Sequence, residues 1–284
     1  MSYEYFEPAD WPQALAVLAR HGDEATVLAG GTAFTLLLRQ GLIRPSAVVG
    51  LRKIRDAGRI DVDGHGGLSI GTSATHTDVV RSAAVRGAWA ALADAVAKVA
   101  TVRVRNQATL GGSVAHADPA SDAPVMLAAL AAQVVVLGAD GGRRRVPIEE
   151  LLVDAFTTSL ASTELIHSLE VPGRTPTQRA VYLKFTLRSV DDYATVSVGA
   201  LADVAGGTIQ DLRVFLGAVG AKPMRATSVE IALRGQHADD RRLAEAAALV
   251  RGDIDPIDDI RGSASYKSEM ARVWTERALR AVMS

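Results

Sequence analysis

The chain has 284 residues, 48% hydrophobic and 22% charged, and its Lys and Arg total of 31 nearly balances 32 Asp and Glu for a formal net charge of -1. That balance gives no global electrostatic drive toward nucleic acid or an anionic membrane, and the length exceeds what one hydrophobic core usually fills, so two or three packed units are expected. No cysteine is present, which excludes disulfides and thiolate ligands, so any iron–sulfur cluster working with this chain must belong to another polypeptide.

No apolar run is long enough to span a bilayer, so no transmembrane segment is expected. The start, Met-Ser-Tyr-Glu-Tyr-Phe-Glu-Pro, has neither the basic region nor the apolar core of a signal peptide, and the expected location is the cytoplasm. The six histidines contain no pair at helical spacing, which predicts no metal site.

Residues 3–8 read as a short strand, after which Asp10, Trp11 and Pro12 give a helix cap and a proline in the first turn. They predict a helix to about Arg20, ended by Gly22. Residues 25–28 read as a buried strand, 34–40 as a helix closed by Gly41, and 47–50 as a strand, making a β-α-β-α-β unit over about 1–53. Parallel strands joined by helices bring the loops after the strand ends to one edge, where open α/β sheets bind ligands. One such loop lies within 26–35, Thr-Val-Leu-Ala-Gly-Gly-Thr-Ala-Phe-Thr. Glycine admits positive φ and close approach, so successive N–H groups can converge on an anion such as a diphosphate, and a helix opening there adds its dipole. Taken alone, a Gly-Gly after a strand is more often an ordinary tight turn.

A second unit runs from about residue 54 to 175, with strands at 60–62 and 68–71 around a turn-rich segment and helical character at 76–80 and 88–97. The alternation Val102-Arg103-Val104-Arg105 fits a half-buried strand or the approach to a turn. Residues 108–119 then echo the first loop, Ala-Thr-Leu-Gly-Gly-Ser-Val-Ala-His-Ala-Asp-Pro, with a second Gly-Gly followed at once by a hydroxyl. Two such loops could grip one ligand. A helix at 122–130, a hairpin of 134–137 with 143–146, and a strand at 165–171 complete this unit, and Arg143-Arg144-Arg145 reads as a charged, exposed strand.

The Pro-, Gly- and polar-rich stretch after Val171 marks a boundary, giving domains of 1–175 and 176–284. Beyond it, 180–187, 194–203 and 208–218 read as antiparallel strands with Gly206-Gly207 as a turn, followed by helices at 227–233, 241–251 and 263–281. The expected fold class is α+β: two N-terminal α/β subdomains, then a three-stranded antiparallel sheet with a helical bundle.

Leu28-Ala29-Gly30-Gly31-Thr32, the stretch 105–113, and Ala115-His116-Ala117-Asp118-Pro119 with Asp122 resemble the medium, FAD-binding subunits of molybdenum hydroxylases, the group of carbon monoxide dehydrogenase and xanthine dehydrogenase. The resemblance continues through Lys184-Phe185, the stretch 191–194, Gly220, Pro223, Arg225 and Ala226, and residues 259–267, so it covers essentially the whole chain. It implies an oxidoreductase subunit with FAD held non-covalently between the two N-terminal subdomains. The partners it implies are a small subunit with iron–sulfur clusters of the 2Fe-2S type and a large molybdopterin subunit, assembled as a dimer of heterotrimers. Electrons then pass from the clusters through FAD to an external acceptor, and this chain supplies no catalytic acid, base or nucleophile.

By matching position, the resemblance assigns Leu28, Ala29, Gly30, Gly31, Thr32, Ala33 and Phe34 to the loop that holds the FAD diphosphate, and Thr109, Gly112 and Ser113 to a second cradle. Asp122 matches a contact to the cofactor's sugar chain, Ile166 an aliphatic position near the adenine or ring system, Lys184 a cation close to the isoalloxazine, and Tyr193 an aromatic covering the flavin ring. Read without the resemblance, Asp122 would cap a helix, Lys184 would be a surface residue and Tyr193 a core aromatic. Ala33 and Phe34 stand where relatives often carry Asp or Ser, so backbone donors must suffice there. Two rival functions are a stand-alone FAD-dependent oxidase or reductase, and a scaffold subunit that has lost its cofactor.

Overall fold

The structure, a computed structural model, describes residues 3–284. Its first unit is β1 (Glu4–Phe6), α1 (Trp11–His21), β2 (Ala25–Leu28), α2 (Thr32–Arg39) and β3 (Ala47–Gly50), with the strands parallel in the order β1-β3-β2. Asp10 starts α1 by accepting from the Gln13 N–H at 2.9 Å, and the helix lays Ala14, Leu15 and Leu18 on the sheet. The central strand β3 is buried along its whole length. No residue of α2 is fully buried, which leaves that helix on the outside of the unit.

The second unit holds β4 (Ile60–Val62), β5 (Leu68–Gly71), α3 (His76–Arg81), α4 (Ala83–Ala88), α5 (Ala90–Ala97), α6 (Val102–Arg105), α7 (Leu110–His116) and α8 (Asp122–Ala129). It continues with β6 (Gln133–Leu137), β7 (Arg143–Pro147), α9 (Ile148–Leu151), β8 (Leu152–Asp154), β9 (Thr157–Thr158) and β10 (Leu165–Val171). Five strands pair antiparallel in the order β4-β5-β10-β6-β7. Because side chains alternate across a strand, the central strand β10 sends Leu165 into the core shared with the first unit and Ile166 into the core of the second. Arg144 and Arg145 do form an exposed edge on β7, paired with Glu164 and Glu170 at 2.7 Å each.

Two expectations for this unit are sharpened by the structure. Of the two readings of the Val-Arg alternation at 102–105, the strand fails and the approach to a turn holds: these residues form one helical turn, α6, that leads into a turn at 106–107, and Arg105 folds back to donate to the carbonyls of Val99 and Ala100. The helical stretch at 88–97 is interrupted at Trp89, whose ring is buried and whose Nε1–H donates to the Pro172 carbonyl at 3.1 Å. The segment after Val171 is irregular as expected, but it is pinned: Arg174 donates to the carbonyls of Ala88, at 2.8 Å, and Gln178.

The third unit is an antiparallel sheet of β11 (Gln178–Phe185), β12 (Val196–Ala205) and β13 (Thr208–Gly217), extended at its edge by the two-residue β14 (Met224–Arg225). Gly206 and Gly207 turn the β12–β13 hairpin at φ of 58° and 76°, the left-handed region that a two-residue loop of this kind requires. α10 (Thr227–Leu233), α11 (Asp240–Ala248) and α12 (Ala264–Met283) cover one face of the sheet and build the third core. The other face meets the second unit: Tyr182 and Phe215 join its core. At Gly199 a side chain would come within 3.2 Å of the Val125 carbonyl, so glycine lets β12 lie directly on α8.

Candidate cofactor site

Gly31 is the N-cap of α2 at φ 75° and has no side chain to satisfy the helix start. The backbone N–H groups of residues 30–34 donate to no protein acceptor among the described residues, and the first bond of the helix runs from the Thr35 N–H to the Gly31 carbonyl at 2.9 Å. Unpaired N–H groups at a helix start form an anion site through their partial positive charge and the helix dipole. Leu28 and Ala29 lead into the turn half-buried, Thr32 is exposed, and Ala33 and Phe34 are half-buried. Phe34 packs edge-on against Tyr3, with ring centroids 6.5 Å apart. A Cβ on Gly30 would collide with the Gln107 carbonyl, so the loop rests directly on the chain just before Thr109. The two glycine segments, far apart in sequence, therefore meet.

They are not structural twins. The second Gly-Gly lies inside the first turn of α7, where Thr109 is the N-cap and its hydroxyl accepts from the Gly112 N–H at 3.1 Å. The neighbouring N–H groups are also committed: Leu110 to Ala74, Gly111 to Thr72 and Ser113 to Thr109. The second segment is thus not an open loop like the first, because this helix start is capped by its own threonine and by the segment after β5. What remains free for a ligand is hydroxyl oxygen and space, not backbone hydrogen. Behind Ser113 lies His76, 1% exposed, with Nε2 at 3.0 Å from the Ser113 hydroxyl. Burial pushes the imidazole down to about 4, with Thr109's backbone opposing and Arg105 assisting.

Asp122 and Lys184 are brought together, to each other. Lys184 Nζ donates to Asp122 Oδ2 at 2.9 Å and to the Lys98 carbonyl at 2.8 Å, while the Tyr182 hydroxyl donates to Asp122 Oδ1 at 2.5 Å. The ionised side chains are only 3% and 5% exposed. Burial raises the Asp122 carboxyl against the pull of Lys184 and Tyr182, and the Tyr182 phenol is pushed well up by burial and by Asp122. Asp122 is the first residue of α8 rather than its cap, which is Ser121, and Lys184 is no surface lysine. Ile166 is 4% exposed within the core of the second unit and faces no open space.

Tyr193 lies on the loop after β11 with its residue 55% exposed, so it is not a core aromatic. Desolvation, and after it Asp118, raises the phenol. The Arg261 guanidinium stands 5.7 Å above the ring. Arg261 is held in turn by Asp259, whose carboxylate accepts from the Arg261 N–H at 2.7 Å and pairs with the buried Lys267 at 2.9 Å. Tyr193, Arg261, Arg188 and Thr195 line one open hollow. The bonds of His76 to Ser113 and Tyr182 to Asp122, and the stacking of Arg261 on Tyr193, span long sequence separations that periodicity does not report, whereas Arg261 also has a local partner in Asp259.

A family model described as "FAD binding domain in molybdopterin dehydrogenase" matches residues 1–174, and one described as "CO dehydrogenase flavoprotein C-terminal domain" matches residues 181–282. The chain belongs to the FAD-binding medium subunits of the molybdenum hydroxylases. It is 30% identical to the glyceraldehyde dehydrogenase medium chain of Sulfolobus acidocaldarius over 99% of this chain and 98% of that one. It is 28% identical to the carbon monoxide dehydrogenase medium chain of Hydrogenophaga pseudoflava over 98% of this chain and 96% of that one. The solved carbon monoxide dehydrogenase from Hydrogenophaga pseudoflava superposes with a TM-score of 0.95 at 30% identity, covering 99% of this chain and 97% of that one. Quinoline 2-oxidoreductase from Pseudomonas putida 86 superposes with a TM-score of 0.92 at 30% identity, covering 100% of this chain and 97% of that one.

Medium subunits of this family bind FAD within multi-subunit oxidoreductases, while molybdenum and iron–sulfur centres sit on other subunits. The residues present fit the cofactor: an uncapped helix start, a loop with no side chain at Gly30 or Gly31, and a half-exposed aromatic face. No helix among the described residues is long and apolar enough to cross a membrane.

Proposed function

We propose that FAD binds non-covalently with its diphosphate on the backbone N–H groups of residues 29–34, an assignment carried by the unpaired donors of residues 30–34 at the start of α2. Backbone donors act here without a cationic side chain, since Thr32, Ala33 and Phe34 offer none. Thr109 and Ser113 add hydroxyl groups from α7, and Gly112 leaves room beside Thr109. Tyr193 lays its exposed ring over the flavin and excludes water from that side. Asp122, Lys184 and Ile166 support the site from behind: the ion pair fixes the third unit on the second, and Ile166 fills the core of the second unit from β10.

Bound FAD supplies a carrier that takes electrons from iron–sulfur clusters and gives them to an external acceptor. The chain's own work is to hold that carrier rigidly, since no paired carboxylates or nucleophile–base device is needed for it. The partners are an iron–sulfur small subunit and a molybdopterin large subunit in a dimer of heterotrimers, working in the cytoplasm. The domain boundary falls at 175/176, within the irregular segment after β10.

Native mass measurement of the complex purified through this chain tests the assembly. The proposal expects six chains, two each of this protein, a cysteine-rich small subunit and a molybdopterin-bearing large subunit. Full substrate turnover by this chain alone would contradict it and favour a stand-alone flavin enzyme.

A further inference from the structure

We propose that His76 is a positioning residue whose imidazole locks the Ser113 hydroxyl in the orientation that meets the FAD diphosphate. The inference rests on the assignment of Ser113 to the cofactor site made above.

His76 is held from every side. It is the first residue of α3, fixed by a capping box in which Thr75 and Asp78 bond each other reciprocally, and its backbone N–H donates to the Ala108 carbonyl at 2.9 Å. Ala108 and Gln107 precede the α7 cap Thr109, and Gln107 is the residue on which Gly30 rests. The imidazole is therefore tied to the same piece of backbone that joins the two glycine segments. Around it, Val79, Leu110 and Val114 are fully buried apolar neighbours in chain and core.

Beside the Thr109 backbone, which favours its protonated form, the ring has one side-chain partner, the Ser113 hydroxyl, and Nδ1 has none. Buried polar groups in folded proteins are ordinarily satisfied, and an apolar side chain would fill this space with no orphaned nitrogen. Apolar packing alone gives no reason for a histidine here. Orientation does: the Ser113 N–H already donates to the Thr109 carbonyl at 3.0 Å, so the hydroxyl, with the bonding capacity that His76 leaves it, is the polar group that Ser113 brings to a ligand. An unrestrained serine hydroxyl samples several rotamers, and ordering it on binding costs affinity. With the neutral ring protonated at Nε2, it donates to the Ser113 oxygen and leaves the hydroxyl hydrogen for the phosphate, which removes that cost in advance. Burial keeps the ring neutral at physiological pH, so it performs this task without adding a charge beneath the cofactor.

The test is a double-variant cycle on the FAD dissociation constant of the full chain, titrated by flavin fluorescence, with thermal melting of each variant recorded beside it. Ser113→Ala is expected to weaken FAD binding by about tenfold, the scale of one hydrogen bond to a charged group. His76→Leu is expected to weaken it to a similar degree, and the double variant to be no more than about twofold worse than either, because both changes remove one device. His76→Gln, which keeps a polar atom at comparable reach, is expected to restore most of the affinity, and it keeps the test decisive if His76→Leu does not fold. Full additivity of the two losses, or unchanged affinity in both His76 variants, would overturn the role of His76. Unchanged affinity in Ser113→Ala would instead remove Ser113 from the cofactor site, and the inference with it.

Discussion

Gly30 and Gly31 are adjacent in sequence but are glycines for different reasons. Gly30 has a carbonyl where a side chain would go, whereas Gly31 has only side-chain neighbours and a left-handed backbone. At the second pair both glycines are set by contact alone, Gly111 pressed on Thr72 and Gly112 beside the helix cap Thr109, neither with a left-handed backbone. The pairs looked alike in sequence because glycine is equally silent about contact and conformation, and only the surrounding chain separates the two. His76 shows the same limit from the other side: its burial was invisible, yet it governs a pH response. With its folded value near 4 and an ordinary value of 6.5, the unfolded chain binds more protons between these limits, so folding stability falls as pH drops through that window. The full effect is about 3 kcal/mol. Urea unfolding at pH 7 and pH 4.5 is expected to show a smaller difference in His76→Gln than in the natural chain, and equal differences would refute the assignment.

At the level of elements, strands and helices with strong local patterns were legible. Residues 25–28, 47–50, 60–62, 68–71, 165–171 and 227–233 form the elements that their apolar runs and turn residues predict. The failures share one cause, long-range contact overriding local pattern: Arg105 closing α6 on two carbonyls, Trp89 anchored to Pro172, and β14 formed only by pairing with β13. The ion pair between α8 and β11 belongs to the same class. Both residues stood out in sequence, but their spacing of 62 residues gave no hint that they pair. Lys184→Met leaves Asp122 as a buried charge with no cation against it and only the Tyr182 hydroxyl as donor, and breaking a buried pair in this way costs about 3–5 kcal/mol. Because burial already raises the Asp122 carboxyl, removing the cation raises it further, and ionising it costs more stability as pH climbs through that higher value. The destabilisation is therefore expected to be largest at pH 7 and to shrink toward pH 4 in denaturant titrations. A loss independent of pH would show that the pair is not ionised in the folded chain.

Over the whole molecule, three cores are joined rather than merely adjacent. Leu165 and Leu137 of the second unit enter the core of the first, and Tyr182 and Phe215 of the third enter the core of the second. This stitching holds the loop at α2 against the segment that leads into α7, and it fixes the third unit, which carries Tyr193 on the loop after β11, by a buried ion pair. The division into units was legible from turn-rich boundaries, while the contacts between units were not, because they depend on which face of each strand finds which neighbour. A cysteine-free chain supplies no thiolate ligand for an iron–sulfur cluster, and its redox group is the FAD of its family. The central claim is that residues 30–34 hold it. The most direct measurement is the visible absorption of the purified full chain, and of its folded Gly31→Val variant, followed by acid release and identification of the flavin. The natural chain is expected to carry one FAD, or to take it up on reconstitution, and the variant to be colourless, since valine is strained at φ 75° where the donors converge. A variant that keeps its full FAD, or a natural chain that neither carries nor takes up FAD, would contradict the account.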